Sequence, residues 1–275
     1  VLGLENIEKW KKNKFLDLAH KKFGKSETAE TRALDEALDL WIQSETDSIT
    51  FSTLLDDLKS SDSSVTRKRA AFKLGKYDNR WAVNALIKAL DDKDTHVRRS
   101  STASLGKIGN DKAIKQLVLL LGNEDSNIKI TAEGYLSYMG EKTLDPLLNA
   151  QWSSNKNIRA LSASVLGKIG YRWRLSEIID TLCECMNDDD DIVRWRAAAA
   201  LGDMGVGSPK SIKTLLDSFN DPDIRVRRNA IKSIGFIGDK EALVPLIIAQ
   251  KDDDLQIREN ADEAWQKIIK RLEED

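Results

Sequence analysis

The chain has 275 residues, which fits one or two domains, and 41% of them are hydrophobic and 32% are charged. This balance is typical of a chain that buries a core beneath a solvated surface. No run of about 18 apolar residues occurs, so we expect no membrane-spanning helix. The first residues also lack the apolar segment of a signal peptide. The net charge of −2 favours no class of partner by itself.

Residues 1–60 carry apolar patterns that predict helices at 6–22, 29–42 and 51–59. These segments match the pattern that follows them poorly. We therefore expect residues 1–60 to form divergent helical repeats or a cap at the N-terminal end. Atypical end repeats are typical of stacked arrays, because the outermost core has to be covered.

An internal repeat begins at residue 61. Each copy has an acidic residue, then two residues, an aliphatic anchor and a basic residue. Seven residues after the basic residue comes an aliphatic residue that Gly often follows. The clearest copy spans residues 94–109. The anchors of the seven copies lie 30 to 35 residues apart: Thr66, Val97, Ile128, Ile158, Val193, Val226 and Ile257.

Each position of the repeat has a physical interpretation. The residue three before the anchor is of a type that caps helix N-termini: Ser63, Asp94, Asp125, Asn155, Asp190, Asp223 and Asp254. Small residues occupy positions where two helices would approach closely: Ala132, Ala163, Ala197, Ala198, Ala230 and Ala261. Glycines are predicted to end the anchor helices with positive φ: Gly109, Gly140, Gly170, Gly205 and Gly238.

A second amphipathic helix follows each anchor helix, as in residues 113–121. Each copy is therefore a hairpin of two helices, and hairpins of this kind bury their apolar faces by stacking. The sequence predicts an all-α solenoid, an α-α superhelix of about seven to eight hairpins. We expect the repeats to occupy residues 61–252, with a capping helix over 253–275, in one continuous domain.

Residues 94–109, together with residues 110–114, resemble the short HEAT repeat of the phycobilisome-lyase type. The resemblance extends over roughly residues 61–275 and is specific for fold rather than for function. It implies a right-handed superhelix whose anchor helices line a concave side. Members of the family include bilin lyases, metal-dependent hydroxylases, relatives of DNA glycosylases and many adaptors, so the fold alone does not choose a function.

A basic residue follows every anchor: Arg67, Arg98, Lys129, Arg159, Arg194, Arg227 and Arg258. In HEAT proteins this position resembles a structural ladder of cations that bridge acidic turn residues of their own and adjacent repeats. The capping acid and the basic residue are four apart, so they can meet on one helical turn. We interpret the column as a solvated ladder, with a nucleic-acid-binding stripe as the alternative.

Residues for catalysis or metal binding are scarce. The two histidines, His20 and His96, are not followed by Glu, as they are in the HEAT-type hydroxylases, and they lie far from Cys183 and Cys185. A zinc site needs three or four such ligands close together. We therefore expect no cofactor, no bound metal and no enzymatic activity. Two cysteines this close on a helix point to different faces, which indicates free thiols and favours a reducing, cytoplasmic location.

The concave face is the predicted binding site. Its exposed positions should lie two, three, six and ten residues after each anchor. Over the first six copies these 24 positions include nine basic residues and one acidic residue, although the whole chain has 43 basic and 45 acidic residues. The candidate partner-binding residues are Lys68, Arg69, Phe72, Arg99, Lys107, Tyr138, Leu161, Lys168, Trp195, Arg196, Arg228, Lys232 and Phe236.

The character of this face differs along the array. Its middle is weakly polar, with Ile130, Gly134 and Tyr138 between two basic ends. Aromatic residues beside arginine are typical of binding hot spots. One copy also has four extra residues near 171–174, and insertions in repeat arrays usually form loops on one face. There Trp173 either clamps an anion or a base, or packs inward.

The leading hypothesis is a non-enzymatic scaffold, expected to be a monomer, that grips an acidic, partly apolar protein segment. A nucleic-acid-binding protein of the glycosylase-like kind is the alternative, with basic residues on phosphates and aromatic residues on bases. The sequence pI of 5.9 and the apolar middle argue against it. A third hypothesis, a bilin-lyase-like tetrapyrrole chaperone, depends on the family resemblance alone.

Overall fold

A computed structural model describes residues 50–173 and 176–274, with residues 171–173 described by their backbone alone. Every regular element within these ranges is helical, which confirms the all-α prediction. The predicted helices at 6–22 and 29–42 lie outside the described residues. The α-helices are α1 (50–60), α2 (Ser64–Leu74), α3 (Arg80–Lys88), α4 (Thr95–Ile108), α5 (Asp111–Leu120), α6 (Ser126–Met139), α7 (Leu144–Ala150), α8 (Lys156–Trp173), α9 (Ser176–Cys185), α10 (Asp191–Asp203), α11 (Pro209–Asp217), α12 (Ile224–Ile237), α13 (Leu243–Ala249) and α14 (Leu255–Glu274).

The chain divides into two compact units, Val1–Ala70 and Ala71–Asp275. In the described part of the first unit, Leu54 and Leu58 of α1 and Ala70 of α2 are buried. The second unit contains α3 to α14 and the last residues of α2. The boundaries predicted at residues 60 and 252 stay predictions.

The second unit is built from two layers of helices. The anchor helices α4, α6, α8, α10, α12 and α14 form one layer, in which each contacts the next. The helices between them form the other layer, where α3 contacts α5, α5 contacts α7 and α9 contacts α11. The anchors Val97, Ile128, Val193 and Val226 are fully buried between the layers. The predicted stack of helical hairpins is therefore confirmed.

The glycine nine residues after the anchor sets how closely consecutive anchor helices approach. A Cβ on Gly167 of α8 would lie 2.6 Å from Cβ of Ala200, which is seven residues after the anchor of α10. The same register recurs at Gly75 with Ser104, Gly106 with Tyr135, Gly202 with Ser233 and Gly235 with Ala264. The glycine of the repeat is therefore a contact between repeats. In the third copy Ser137 takes this place, and its hydroxyl is buried without a hydrogen-bond partner in the described part of the chain.

The glycines predicted at the ends of anchor helices behave in two ways. Gly109, Gly140 and Gly205 have positive φ, as predicted. Gly170 instead lies inside α8, where a Cβ would come 2.6 Å from Cε of Met204, and Gly238 has an extended backbone with φ of −71°. Gly238 thus ends its helix as predicted but without positive φ, and a Cβ there would lie 2.6 Å from the carbonyl oxygen of Ile234. At Gly170 the prediction was wrong, because the glycine is needed for close packing against Met204 rather than for its backbone conformation.

The predicted helix caps are present in all seven copies. The side chain of Asp94 accepts hydrogen bonds from the backbone N–H groups of His96 and Val97, and Asp223 does the same in its copy. Ser63, Asp125, Asn155, Asp190 and Asp254 each accept from a backbone N–H two or three residues later. Such caps typically stabilise a helix by about 1 kcal/mol each.

The predicted ladder of cations is also present, with contacts that differ in part from those expected. Arg194 donates to both carboxylate oxygens of Asp221, at 2.8 and 3.0 Å, in the turn of the next repeat. Arg159 likewise donates a hydrogen bond to each carboxylate oxygen of Asp188. Within its own repeat, however, Arg194 bonds the main-chain carbonyl oxygens of Asp188 and Asp189 rather than the cap carboxylate. The guanidinium therefore fixes its own turn and ties it to the next one.

The cap carboxylates make stability depend on pH. A hydrogen bond from the Arg228 side chain, with others from the backbone, holds the pKa of Asp254 below its ordinary value. A depressed pKa gives stabilisation that is complete above the unfolded-state pKa, about 3.9 for Asp. This stabilisation is lost as the pH falls through the folded-state pKa.

Asp254→Asn tests this dependence, because Asn still caps the helix but carries no charge. We expect the variant to melt below the wild type near about pH 7, since it resembles the protonated carboxyl group. The difference between the melting temperatures of the variant and the wild type should narrow as the pH falls below about 4. Thermal melts followed by circular dichroism measure it, and a difference that stays constant with pH would contradict the assignment.

Candidate partner-binding surface

The positions two, three, six and ten residues after the anchors form one surface of the second unit, here named the anchor-helix surface. Most of the predicted site residues lie on it with accessible side chains. The exposed ones are Phe72, Arg99, Lys107, Tyr138, Lys168, Lys232 and Phe236. Those partly buried are Trp195, Arg196 and Arg228. Lys68 and Arg69 are exposed too, but they belong to the first unit.

Leu161 is the exception among the predicted site residues. Only 9% of it is exposed, and the preceding Ala160 is only 1% exposed. Helix α8 lies between α6 and α10 in the anchor layer, and the packing around it leaves these two positions little contact with solvent. The prediction that Leu161 lines the binding surface was therefore wrong, and the residue is part of the packing.

An exposed apolar stripe runs along α6. Ile130 is 65% exposed and Tyr138 is 77% exposed. The two residues are eight positions apart, so they lie on the same side of the helix. Between them, Gly134 has nothing within 4 Å of where a Cβ would be. The stripe therefore offers two apolar side chains separated by an open notch.

Cations border this stripe on both neighbouring helices. On α4, Arg99 and Lys107 are exposed, and the ammonium group of Lys107 lies 4.1 Å from the ring centroid of Phe72. On α8, the Lys168 ammonium group forms an ion pair of 2.6 Å with Glu133 of α6. The surface around the stripe thus combines apolar area with positive charge, part of which Glu133 neutralises.

Sequence reasoning missed Glu133, because its position, five residues after the anchor, was not among the positions expected to be exposed. The same position in the other five of the first six copies is Ala71, Thr102, Ala163, Ala198 and Ile231. A lone carboxylate in a column of small or apolar residues was the available signal. The structure places Glu133 at the edge of the anchor-helix surface, against Lys168 and the Ser164 hydroxyl.

The C-terminal half of the surface is less basic than the sequence indicated. Arg228 donates to both oxygens of Asp254, at 3.1 and 2.7 Å, and Asp254 also caps α14. Its guanidinium therefore supports the fold. The last anchor helix adds the exposed acids Glu259 and Glu263, which the count over six copies omitted. Lys267 of the same helix covers the Phe236 ring at 4.4 Å.

Two further predictions concern residues 171–174 and the cysteines. The four extra residues near 171–174 were expected to form a loop, but α8 continues through Trp173. The side chains there, Trp173 included, lie outside the described part. Cys183 and Cys185 are free and buried, as expected. Burial raises the pKa of Cys185 to about 12, so its thiol stays protonated and is unsuited to act as a nucleophile.

Within the described residues, no group of three or more His, Cys, Asp or Glu side chains is arranged to hold a metal ion. His20 lies outside them. None of the helices in the same part of the chain combines the length and the apolar character that crossing a bilayer requires.

The other helix layer also presents exposed apolar residues, which the sequence analysis did not single out. Trp81, Leu119 and Trp152 are 58%, 59% and 77% exposed. A groove of about 580 Å³ between α5 and α7 is lined in part by Leu119 and Lys142. Val244, Ile247 and Ile248 of α13 are 67%, 45% and 68% exposed as well. The anchor-helix surface is preferred as the candidate site because the cations described above border its apolar stripe on both neighbouring helices.

Comparisons with solved structures give distant similarities. The human deoxyhypusine hydroxylase is 17% identical with a TM-score of 0.40, covering 80% of this chain and 84% of that one. A computationally designed armadillo repeat protein for modular peptide recognition is 20% identical with a TM-score of 0.41, covering 78% and 98%. The complex of CpcE and CpcF of phycocyanin lyase from Nostoc sp. PCC7120 is 22% identical with a TM-score of 0.49, covering 56% and 99%. No curated protein matches the chain.

The sequence matches the family of HEAT repeats over most of its length. The matched segments are residues 51–137, 116–202, 141–222 and 179–266. They include the anchor helices from α2 to α12 and the first part of α14, and the stacked hairpins, capped turns and arginine ladder of the structure agree with them. The chain belongs to the HEAT-repeat family.

Proposed function

We propose that this protein is a binding scaffold that grips an acidic, partly apolar segment of a partner protein on the anchor-helix surface. The observation that carries the proposal is the exposed stripe of Ile130 and Tyr138 on α6, with Arg99 and Lys107 on the helix beside it. Exposed aromatic side chains beside arginine favour protein recognition. The positive charges would attract an acidic partner and orient it.

A nucleic acid fits this surface less well. A phosphate backbone is held by a continuous row of cations. Here the row is interrupted by Glu133, Asp203, Glu259 and Glu263, and Arg228 is held by Asp254. A protein segment places its charges at intervals, so it can match an interrupted row.

Selection from short random peptides displayed on phage tests the proposal. We expect the wild-type protein to enrich peptides that combine acidic and apolar residues. Arg99→Glu combined with Lys107→Glu should weaken the binding of the selected peptides at least about tenfold, equivalent to about 1.4 kcal/mol. Tyr138→Ser should weaken their binding by a similar factor, because it removes an aromatic contact.

The matched control places the same change of charge on the other helix layer. Lys88→Glu combined with Lys213→Glu alters two exposed residues of α3 and α11, and we expect it to bind as the wild type does. If the variant that combines Arg99→Glu with Lys107→Glu bound the selected peptides as tightly as the wild type does, the proposal would be overturned. So would a wild-type protein that enriches no peptide but binds duplex DNA, or one that retains a coloured tetrapyrrole on purification.

A further inference from the structure

Arg196 on α10 differs from the other arginines of its neighbourhood. Arg159, Arg194 and Arg228 each hold an aspartate of the next repeat with two hydrogen bonds. Arg196 is partly buried, yet within the described chain it donates no hydrogen bond and has no carboxylate within 4.0 Å. Its guanidinium lies 4.6 Å from the ring centroid of Trp195. A guanidinium with five donors and no acceptor is poorly satisfied by the protein itself.

The adjacent residue has an unsatisfied donor as well. The indole Nε1 of Trp195 is buried and has no hydrogen-bond partner among the described residues. A buried donor without an acceptor destabilises a protein by about 1 to 3 kcal/mol. Within the described part of the chain, two consecutive residues thus leave N–H groups without acceptors. The indole N–H is enclosed by the protein, so the guanidinium of Arg196 is the group available to a ligand.

The charge around Arg196 is not balanced by the protein. The carboxylate that acts on Arg196 is Glu133, and Glu133 is held by Lys168 at 2.6 Å. The three side chains together carry one net positive charge. Burial lowers the pKa of Arg196, and the charge of Glu133 opposes that shift. Arginine remains protonated at neutral pH even so, and the site is therefore left with one positive charge that a single negative group would balance.

We propose that Arg196, whose guanidinium lies against the Trp195 ring, anchors one carboxylate of the bound segment, an Asp or Glu side chain of the partner protein. The planar guanidinium binds a carboxylate through two parallel hydrogen bonds. This inference depends on the proposed function and names the one contact expected to contribute most to the recognition of acidic partners. A monoanionic carboxylate matches the single net charge, whereas a phosphate group carries more.

Two synthetic peptides test the inference, both acetylated, amidated and roughly eight residues long. One alternates leucine with aspartate and the other alternates leucine with asparagine. We expect the aspartate peptide to bind the wild type at least about tenfold more tightly. Arg196→Gln should remove most of that difference. Arg196→Lys should also reduce it, because lysine keeps the charge but lacks the planar pair of donors.

Arg99→Gln is the matched control, since it removes one positive charge from the same layer of helices. It should weaken the binding of the aspartate peptide clearly less than Arg196→Gln does. Equal losses in the two variants would mean that only general charge attraction operates, and would overturn the inference. Binding of both peptides with equal affinity, or of neither, would overturn it as well.

Nuclear magnetic resonance gives a readout that does not depend on affinity. The chain has seven tryptophans, and Trp195→Phe identifies the indole N–H signal of Trp195. We expect the aspartate peptide, but not the asparagine peptide, to shift this signal, because the Trp195 ring lies 4.6 Å from the Arg196 guanidinium. An unmoved signal would overturn the placement of the carboxylate at Arg196. The proposed function is tested separately, because peptide selection that survives Arg196→Gln leaves the scaffold intact and rejects only this anchor.

Discussion

Val193→Asp is expected to abolish the cooperative thermal transition of the second unit, or to lower its midpoint by many degrees. Val193 is fully buried, and its helix α10 lies between α8 and α12 in the anchor layer. An unpaired charge in such a place costs several kcal/mol or forces the carboxyl group to stay protonated. Whole domains are stable by only about 5 to 15 kcal/mol. Thermal unfolding followed by circular dichroism measures the effect.

Ile130→Asp is the matched control for this substitution. It introduces the same side chain on another anchor helix, but at a position that is 65% exposed. Exposed substitutions usually change stability by no more than about 0.5 kcal/mol, so this variant should melt nearly as the wild type does. If Val193→Asp melted like Ile130→Asp, the assignment of the anchors to the core would be wrong.

Features that depend on a few consecutive residues were predictable from the sequence. A cap such as Asp94 and an anchor such as Val97 are three residues apart, and their roles follow from the geometry of a single helix turn. Seven copies of this local pattern defined the array, its two-layer construction and the face that carries the candidate site. The exposure of Arg99, Lys107 and Tyr138 followed from the same register.

Features that depend on the distance between helices were not predictable in the same way. Whether Leu161 is exposed depends on how the neighbouring helices pack around α8, and even the single contact of Gly167 with Ala200 joins residues that are 33 positions apart. Whether Arg228 is available to a partner depends on Asp254, 26 residues later. A register of exposed positions within one helix contains no information about the neighbour that covers them.

This difference affects how the charged surface is tested. The sequence assigned Arg99, Arg196 and Arg228 to the binding surface, which favours a triple variant in which the charge of all three is reversed. Arg228 holds the capping residue of α14, so a Glu at that position would face Asp254 and destabilise the last repeat. Arg99 and Lys107 carry no ion pair with a described carboxylate, and their reversal separates binding from folding more cleanly.

Two Gly→Ala substitutions are expected to change stability in opposite directions. Ala is favoured over Gly in a helix interior by about 1 kcal/mol. At Gly134 the new methyl group meets nothing within 4 Å, so Gly134→Ala should stabilise the protein by most of that amount. At Gly167 the methyl group would lie 2.6 Å from Cβ and 2.7 Å from Cα of Ala200.

At Gly167 the helix preference is therefore opposed by overpacking, which typically costs about 1 to 3 kcal/mol and more when backbone has to move. We expect Gly167→Ala to destabilise the protein by roughly 1 to 2 kcal/mol net. Urea unfolding of both variants and of the wild type measures the free energy of unfolding, and so shows whether each substitution raises or lowers it. Stabilisation by both substitutions would mean that α8 and α10 lie farther apart than the structure places them.

Ala200→Gly in the Gly167→Ala background identifies the cause of the loss. If the clash between the two methyl groups dominates, removing one of them should restore part of the stability, although Ala200→Gly alone destabilises its own helix. The coupling energy between the two positions should then be favourable and larger than the roughly 0.5 kcal/mol seen for independent sites. Because Cα of Ala200 stays near the new methyl group, the rescue should be incomplete. Additive effects would instead place the strain within α8 itself, and the repeat glycine would then not determine the spacing between anchor helices.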